Sequence, residues 1–473
     1  MKSGIDGSKW VAIATIVFFI LPASPVLAEE TDMILLAGDP ESIGRTWGKT
    51  NKEAIIQDMK TTYLDPAEEA GLSRETLIER AAVYNRITET IAPHRLQENR
   101  AIAREVGLDE DLYLAFCGSV SRKRFLKASE SEDKLSPPVT DGDIIECTSY
   151  AVPRSRAKDG AILFHKTRDN VDRPQVAVIV ENATPGVNKF IAVTDIGSLR
   201  GLSMVVNDKG LAIAGDYPAA KKKDSSTLVL PDAPPKYRGL MGGDILRYMA
   251  EKAASSKEAL AILEDFVRKG YYAGGDVNGQ HLLFVDKDGV IIEACNNAQH
   301  VVSKVHDKEA YFSRFNKEKP VLSLRAADQV DFAMFQNVQR ERPILTGQSI
   351  SGMTVEIDPD HPETLTVAWV SLPARVAAFP LFMGQRRTPK PLVDGAAYAL
   401  GKRTADYRQE GWKQQRTRWA ALEAAMHRER TDLANDVRDS IEAGNPLDAD
   451  IQRLEDFSRA QATALIEVLR NTN

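Results

Sequence analysis

The stretch Ser203-Met-Val-Val-Asn207-Asp-Lys-Gly210-Leu-Ala-Ile-Ala-Gly215 sets two β-type runs on either side of a tight Asn-Asp-Lys-Gly bend. His281 to Glu293 repeats the design, with Asp286-Lys-Asp-Gly289 at the bend. Turns this short join antiparallel neighbours, because a parallel pair needs a crossover of about a dozen residues or more. A third pair, Met353–Ile357 and Thr364–Trp369, straddles Asp358-Pro-Asp-His-Pro362, and Val176–Val180 and Phe190–Val193 add two short β runs. Between the hairpins, Gly239 to Arg268 reads as a helix, with Leu246, Met249, Ala253, Leu260, Leu263 and Phe266 turned inward. Hairpins separated by helices specify a layered α+β fold and argue against a doubly wound parallel sheet.

Both flanks are helical in texture. Ile43, Trp47, Ala54-Ile55 and Met59, then Leu77, Ala81, Tyr84 and Ile87, recur at helical spacing between Asp39 and about Ala128. Ser129 to Asp143, rich in Ser, Asp and Pro, reads as an exposed loop ending just before Cys147. The tail shows a second helical pattern through Trp412, Trp419, Leu422, Met426, Leu433, Val437 and Ile441. Gly444-Asn-Pro446 breaks it, and a further helix runs through Leu454, Phe457, Leu465 and Leu469. This helical hairpin is expected to pack on the core and to offer a surface for self-association. The expected organisation is 1–28 as a leader, 29–146 as a mostly helical segment, 147–382 as a strand-rich core, and 383–473 as a helical extension. With 473 residues, 43% of them hydrophobic, the chain has ample material for such a core.

Lys2 and Lys9 precede an apolar run from Trp10 to Leu21, and Pro22-Ala-Ser-Pro-Val-Leu-Ala28 leads into Glu29-Glu30. A basic start, a short apolar middle and small residues at a Val-x-Ala site describe a secretory signal peptide cleaved after Ala28. The apolar run falls well short of the ~20 residues that span a bilayer. The mature protein is therefore expected to be secreted or periplasmic, without a membrane anchor. A net charge of −6 with both signs mixed gives no nucleic-acid footprint, and Lys221-Lys222-Lys223 reads as a solvated loop. The sequence carries no phosphate loop, dinucleotide fingerprint or Ser–His–Asp elbow. Cys295, His300 and His306 are spaced unlike any common zinc site and lack a fourth ligand. No cofactor and no metal are expected.

Cys147, in Asp143-Ile-Ile-Glu146-Cys147-Thr-Ser-Tyr-Ala-Val152, opens an apolar run, and the next β-type run, Ala161–His165, ends in Lys166-Thr-Arg-Asp169-Asn170. A thiol at one strand start, with a cation and a carboxylate at the next strand end, fits a nucleophile and its support. The bland alternative is a small buried hydrophobe. The other two cysteines, Cys117 and Cys295, read equally as a bridge or as buried thiols.

Taken in order, these pieces resemble the acyl-coenzyme A:6-aminopenicillanic-acid acyltransferase family of N-terminal-nucleophile (Ntn) hydrolases, from about Glu41 to Phe382. Ser42-Ile-Gly44-Arg-Thr-Trp-Gly48 looks like the family's opening Gly-x-x-x-Gly helix, and Glu98 to Asp109 like its Glu-x-x-Gly-Ile-Ala segment, with Arg100-Ala101 in place of the Gly. Cys147-Thr148-Ser149, Asp159-Gly160, the Lys166–Asp169 block, Asn207–Leu211 and Gly215-Asp216-Tyr217-Pro218 follow in the family's order. The resemblance implies a four-layer αββα sandwich and self-cleavage between Glu146 and Cys147. It implies that Cys147 is the nucleophile and that Asp169 orients its amine. Lys166 falls where related hydrolases have Arg, Asn316 roughly where the family has an oxyanion-hole Asn, and Arg375 where a late Arg supports the site. The implied activity is hydrolysis or acyl transfer at an amide of a small N-acyl compound or short peptide. An Ntn-type cysteine dipeptidase and a non-catalytic binding protein that keeps the fold are the alternatives. Two departures stand out: Glu146 replaces the family's usual Gly before the nucleophile, and Asp216 stands where related hydrolases have a donor Asn. An ionised Asp accepts hydrogen bonds but cannot donate one.

Overall fold

The computed structural model describes residues 32–118, 147–216, 228–234, 236–274, 279–306, 309–315, 317–406 and 408–472. The leader, Glu146 and Asn316 lie outside the described residues. The strands are β1 (Met33–Ile34), β2 (Leu36–Gly38), β3 (Thr148–Val152), β4 (Ile162–Asp169), β5 (Gln175–Asn182) and β6 (Phe190–Asp195). They continue with β7 (Met204–Asn207), β8 (Ala212–Asp216), β9 (Gln280–Val285), β10 (Ile291–Asn296) and β11 (Val301–His306). The last five are β12 (Tyr311–Phe312), β13 (Ser349–Ile357), β14 (Val367–Ser371), β15 (Phe379–Phe382) and β16 (Thr388–Pro389).

Two sheets form the centre. One has the order β11-β10-β9-β8-β7-β6-β5-β2, and the other β12-β3-β4-β13-β14-β15. The hairpins β7–β8, β9–β10 and β13–β14 are antiparallel, as their tight turns require. Along each strand, alternate residues face the other sheet. Ala151, Ile162, Phe164, Met353 and Val355 from the smaller sheet meet Ala177, Ile179, Val193, Met204, Val206 and Leu283 from the larger one, all of them buried.

Helices cover both outer faces, completing an αββα sandwich. On the larger sheet, Val178, Phe190, Val205, Ile213 and Phe284 share one core with Ile43, Trp47 and Met59 upstream and with Leu246, Met249 and Leu263. The Gly239–Arg268 segment, expected as one helix, is two: Gly242–Lys252 and Ser256–Arg268. The break is chemical, since the Ser255 hydroxyl accepts the Glu258 N–H and caps the second helix. On the smaller sheet, Tyr150, Val152, Leu163 and Phe312 pack with Val321, Leu324 and Phe335. Trp419, Met426, Leu454 and Leu465 of the tail helices Trp412–Glu442 and Asp448–Arg470 close that side.

The structure adds strands that local pattern did not reveal. β2 pairs in parallel with β5, so the segment before Cys147 supplies an edge of the larger sheet. β1 pairs with β16, past the C-terminal end of the hairpin-rich core. Thr364, expected in a strand, instead lies in the helical turn Pro362–Leu365, because Pro362 starts the turn at its first position.

Gly44 and Gly48 explain their own spacing. A Cβ at Gly44 would lie 2.3 Å from the Glu98 carbonyl oxygen and 2.8 Å from the Ala101 Cβ. At Gly48 it would meet the Glu105 Cβ at 3.0 Å. The helix Pro40–Met59 thus touches Pro93–Val106 almost backbone to backbone. Gly44→Ala is expected to force the two helices apart at a cost of about 1–3 kcal/mol, read as a lower urea midpoint with an unchanged m-value.

Candidate active site

Cys147 sits immediately before β3 with only 8% of its surface exposed. Its sulfur lies 3.7 Å from the Asp169 carbonyl oxygen, which the thiol faces as donor. β3 and β4 are antiparallel with Ser149 opposite Lys166, and alternation turns Ser149, Lys166 and Arg168 into the space between the sheets. All three are buried there.

Lys166 has no exposed surface at all. Its ammonium donates to the Gly215 carbonyl at 2.7 Å and pairs with Asp216 Oδ1 at the end of β8. The other Asp216 oxygen accepts the Ser149 hydroxyl and lies 3.6 Å from His281 Nδ1. Burial works against the Asp216 charge. The Lys166 ammonium and the His281 ring outweigh it and hold the carboxyl far below the usual carboxylate range. Arg168 is committed in the same way, to Asp195 at 2.7 Å and Gln175 at 2.9 Å across the gap. Burial opposes its charge and Asp195 favours it, leaving the guanidinium above its ordinary value.

Asp169 turns to the opposite side of β4. Its carboxylate accepts the Ser349 hydroxyl at 2.6 Å from the directly paired residue of β13, at a register irregularity between Ser349 and Ser351. Burial dominates here and pushes the carboxyl up to about 7, although Ser349, Lys166 and Arg314 all pull it down. The backbone around the site is pinned from β12. Ser313 N–H donates to the Ser149 carbonyl, and Ser149 N–H donates to the Ser313 hydroxyl, both at 2.9 Å. Two residues on, Phe315 holds φ at 62°, a left-handed conformation costly for a residue with a side chain.

The structure therefore gathers Cys147, Lys166 and Asp169 at one end of β3 and β4. Glu146 and Asn316 lie outside the described residues. Arg375 is engaged with the segment after the helix Ala396–Gly401, donating to the Lys402 carbonyl at 2.7 Å and to Gly401 and Thr404 at 3.4 Å. All three cysteines are buried thiols, so the bridge considered for Cys117 and Cys295 is not formed, and burial pushes the Cys117 thiol up to about 12. Sequence reading did not single out Arg168, Ser349, Ser313 or His281. One signal was present: His281 shares the period-two face of Leu283 and Val285, an apolar face on which a histidine needs polar partners. The others depend on strand register. Among the described residues no group of three or more His, Cys, Asp or Glu side chains is arranged to hold a metal ion. No described helix is long and apolar enough to cross a membrane.

No family model and no curated protein sequence matches the chain. Several solved structures are similar to part of it. Penicillin V acylase from Agrobacterium tumefaciens matches at 14% identity and a TM-score of 0.34, over 50% of this chain and 86% of that one. A variant of conjugated bile acid hydrolase from Clostridium perfringens matches at 10% identity and 0.34, over 50% and 92%. An N-acylethanolamine-hydrolyzing acid amidase ortholog from Caenorhabditis elegans matches at 11% identity and 0.31, over 46% and 94%.

The raised Asp169 has a consequence for pH. A carboxyl whose folded value lies above its unfolded value of about 3.9 favours folding most at low pH, where both states are protonated. That contribution is lost as pH climbs towards and through about 7. Thermal melts between pH 4 and 8 should show Asp169→Asn losing less stability with rising pH than the unsubstituted protein does.

Proposed function

We propose that this chain is an exported cysteine amidohydrolase of the N-terminal-nucleophile type, acting on the amide bond of a small N-acyl compound. The observation that carries the reading is the placement of Cys147: a thiol immediately before an inner strand, beside a buried Lys166–Asp216–Ser149 cluster and the Asp169 backbone.

The chemistry explains why such a position is useful. Scission of the Glu146–Cys147 bond would leave Cys147 with its own α-amine, whose ordinary pKa is about 7.7–8. That amine takes the thiol proton without a histidine. Sγ then attacks the substrate carbonyl carbon, the C–N bond breaks, and the amine leaves with the proton held by the α-ammonium. Water cleaves the resulting thioester and restores the thiol. Asp169 is assigned to orient the α-amine; a cation beside it would relieve the burial that raises its carboxyl. Asp216 is ionised and cannot donate to the oxyanion, so that role is assigned to Asn316 and backbone N–H groups, with the Lys166 ammonium supplying nearby positive charge. Arg375 is assigned an indirect part, supporting the site through the segment at Gly401–Thr404. Hydrolysis is favoured over transfer because an exported enzyme works in water without a pool of acyl-coenzyme A.

One feature favours a second reading, a dipeptidase of the same type. The Cys147-Thr148-Ser149 start with the strand-end Asp169 looks much like that of such a dipeptidase. Turnover of dipeptides but not of N-acyl amino acids, β-lactams or acyl-homoserine lactones selects it.

Intact-mass measurement of purified protein is expected to give two polypeptides, residues 29–146 and 147–473. Cys147→Ala should give one chain beginning at Glu29 and lose at least about a thousandfold in turnover. An uncut chain that is fully active, or a Cys147→Ala protein that keeps its activity, would falsify the mechanism.

A further inference from the structure

A row of ionisable side chains crosses neighbouring strands from the Cys147 end of the inter-sheet space to the sheet edge. Asp216 on β8 and His281 on β9 are directly paired in register. His281 Nε2 lies 3.0 Å from Glu293 Oε1 on β10 and 3.0 Å from the Tyr311 hydroxyl on β12. The second Glu293 oxygen lies 2.9 Å from His306 Nε2 on the edge strand β11. From Lys166 outward the row reads cation, anion, imidazole, anion, imidazole. The Lys166, Asp216, His281 and Glu293 side chains are sealed to 4% exposure or less, whereas that of His306 is 19% exposed. Cys295 on β10 stands opposite His281 in register. Lys304 on β11 stands opposite Glu293 in register, and Lys166 reaches His281 through Asp216.

Two buried carboxylates need two compensating charges. Lys166 supplies one, on Asp216. The position that serves both carboxylates is His281, which lies between them. Its Nδ1 faces Asp216 and its Nε2 faces Glu293, and only the protonated ring carries an N–H on both nitrogens.

Resting on the reading of Cys147 as the nucleophile, we propose that His281 is a positioning residue for the thiol site: its imidazolium offsets the Asp216 carboxylate, and with it steadies Ser149 and Lys166, so that Asp216 does not cancel the Lys166 charge on the Cys147 side. Burial opposes that charge, but the neighbouring Asp216 and Glu293 carboxylates outweigh it and raise the ring above its ordinary value. The charge is therefore held on the acidic side of that raised value and lost as pH climbs through it. An electropositive setting favours the reactive thiolate.

The test needs no substrate. Native protein is treated with iodoacetamide between pH 5.5 and 9, and labelling of the Cys147 peptide is followed by mass spectrometry, which separates it from Cys117 and Cys295. His281→Gln keeps hydrogen bonding without the charge, and should slow Cys147 labelling at pH 6.5 by about three- to tenfold, with the gap narrowing at high pH. His281→Asn, a smaller neutral replacement, should act in the same direction and decides the matter if His281→Gln does not fold. A folded variant, judged by circular dichroism, that labels at the unsubstituted rate across the range overturns the proposal. If the unsubstituted protein labels at Cys147 only after denaturation, the nucleophile reading itself fails, and this one with it.

Discussion

The contact between Lys166 and Asp216 is the interaction on which the centre of this molecule depends. It crosses from the smaller sheet to the larger one beside a largely apolar inter-sheet core. Neither partner tolerates burial alone, because an unpaired charge in such surroundings costs several kcal/mol. The pair therefore fixes more than a distance. It ties β4 to β8 across the two sheets, places Ser149 against the other oxygen of the Asp216 carboxylate, and backs the strand that follows Cys147. The Arg168–Asp195 pair repeats the device one alternation further along β4. Two crossing ion pairs make one end of the sandwich interior polar.

Much of the architecture was legible in the sequence because it rests on local rules. Asn207–Gly210 and Asp286–Gly289 allow only tight antiparallel turns, and both hairpins are present. The tail heptads gave a helical hairpin with its break at Gly444-Asn-Pro446, where the structure turns. Gly44 and Gly48 stood out in the sequence only as a Gly-x-x-x-Gly pair, and the close helix contact that explains them is seen in the structure. What escaped was non-local. β2 is only three residues long, and its pairing with β5 joins positions far apart in the chain. Nothing in a three-residue run can encode a partner more than a hundred positions away.

The site divides along the same line. Cys147, Lys166 and Asp169 were visible because they cluster within consecutive strands. Period-two alternation also carried a further message that was not drawn: Lys166 and Arg168 share a face, while Asp169 takes the other. Hence Lys166 meets Asp216, and Asp169 meets Ser349. Arg375 illustrates the opposite case. A late arginine after a strand has no local signature of its target, and its side chain is spent on carbonyls of the 401–402 segment. His281 needed the spatial order of four strands before its setting between two carboxylates could be seen.

A final feature lies far from the thiol. Arg247 on the helix Gly242–Lys252 grips Glu98 with two bonds of 2.8 Å, and Arg95 and His94 reach across in return to Glu251 at 2.8 and 3.0 Å. This lattice is almost completely shielded from water and spans the seam between the polypeptide before Cys147 and the polypeptide after it. Together with β2 at the sheet edge, it rivets the leading piece to the body at several depths. Severing the backbone ahead of Cys147 would consequently yield two strings of residues but still one particle, inseparable until the whole sandwich melts.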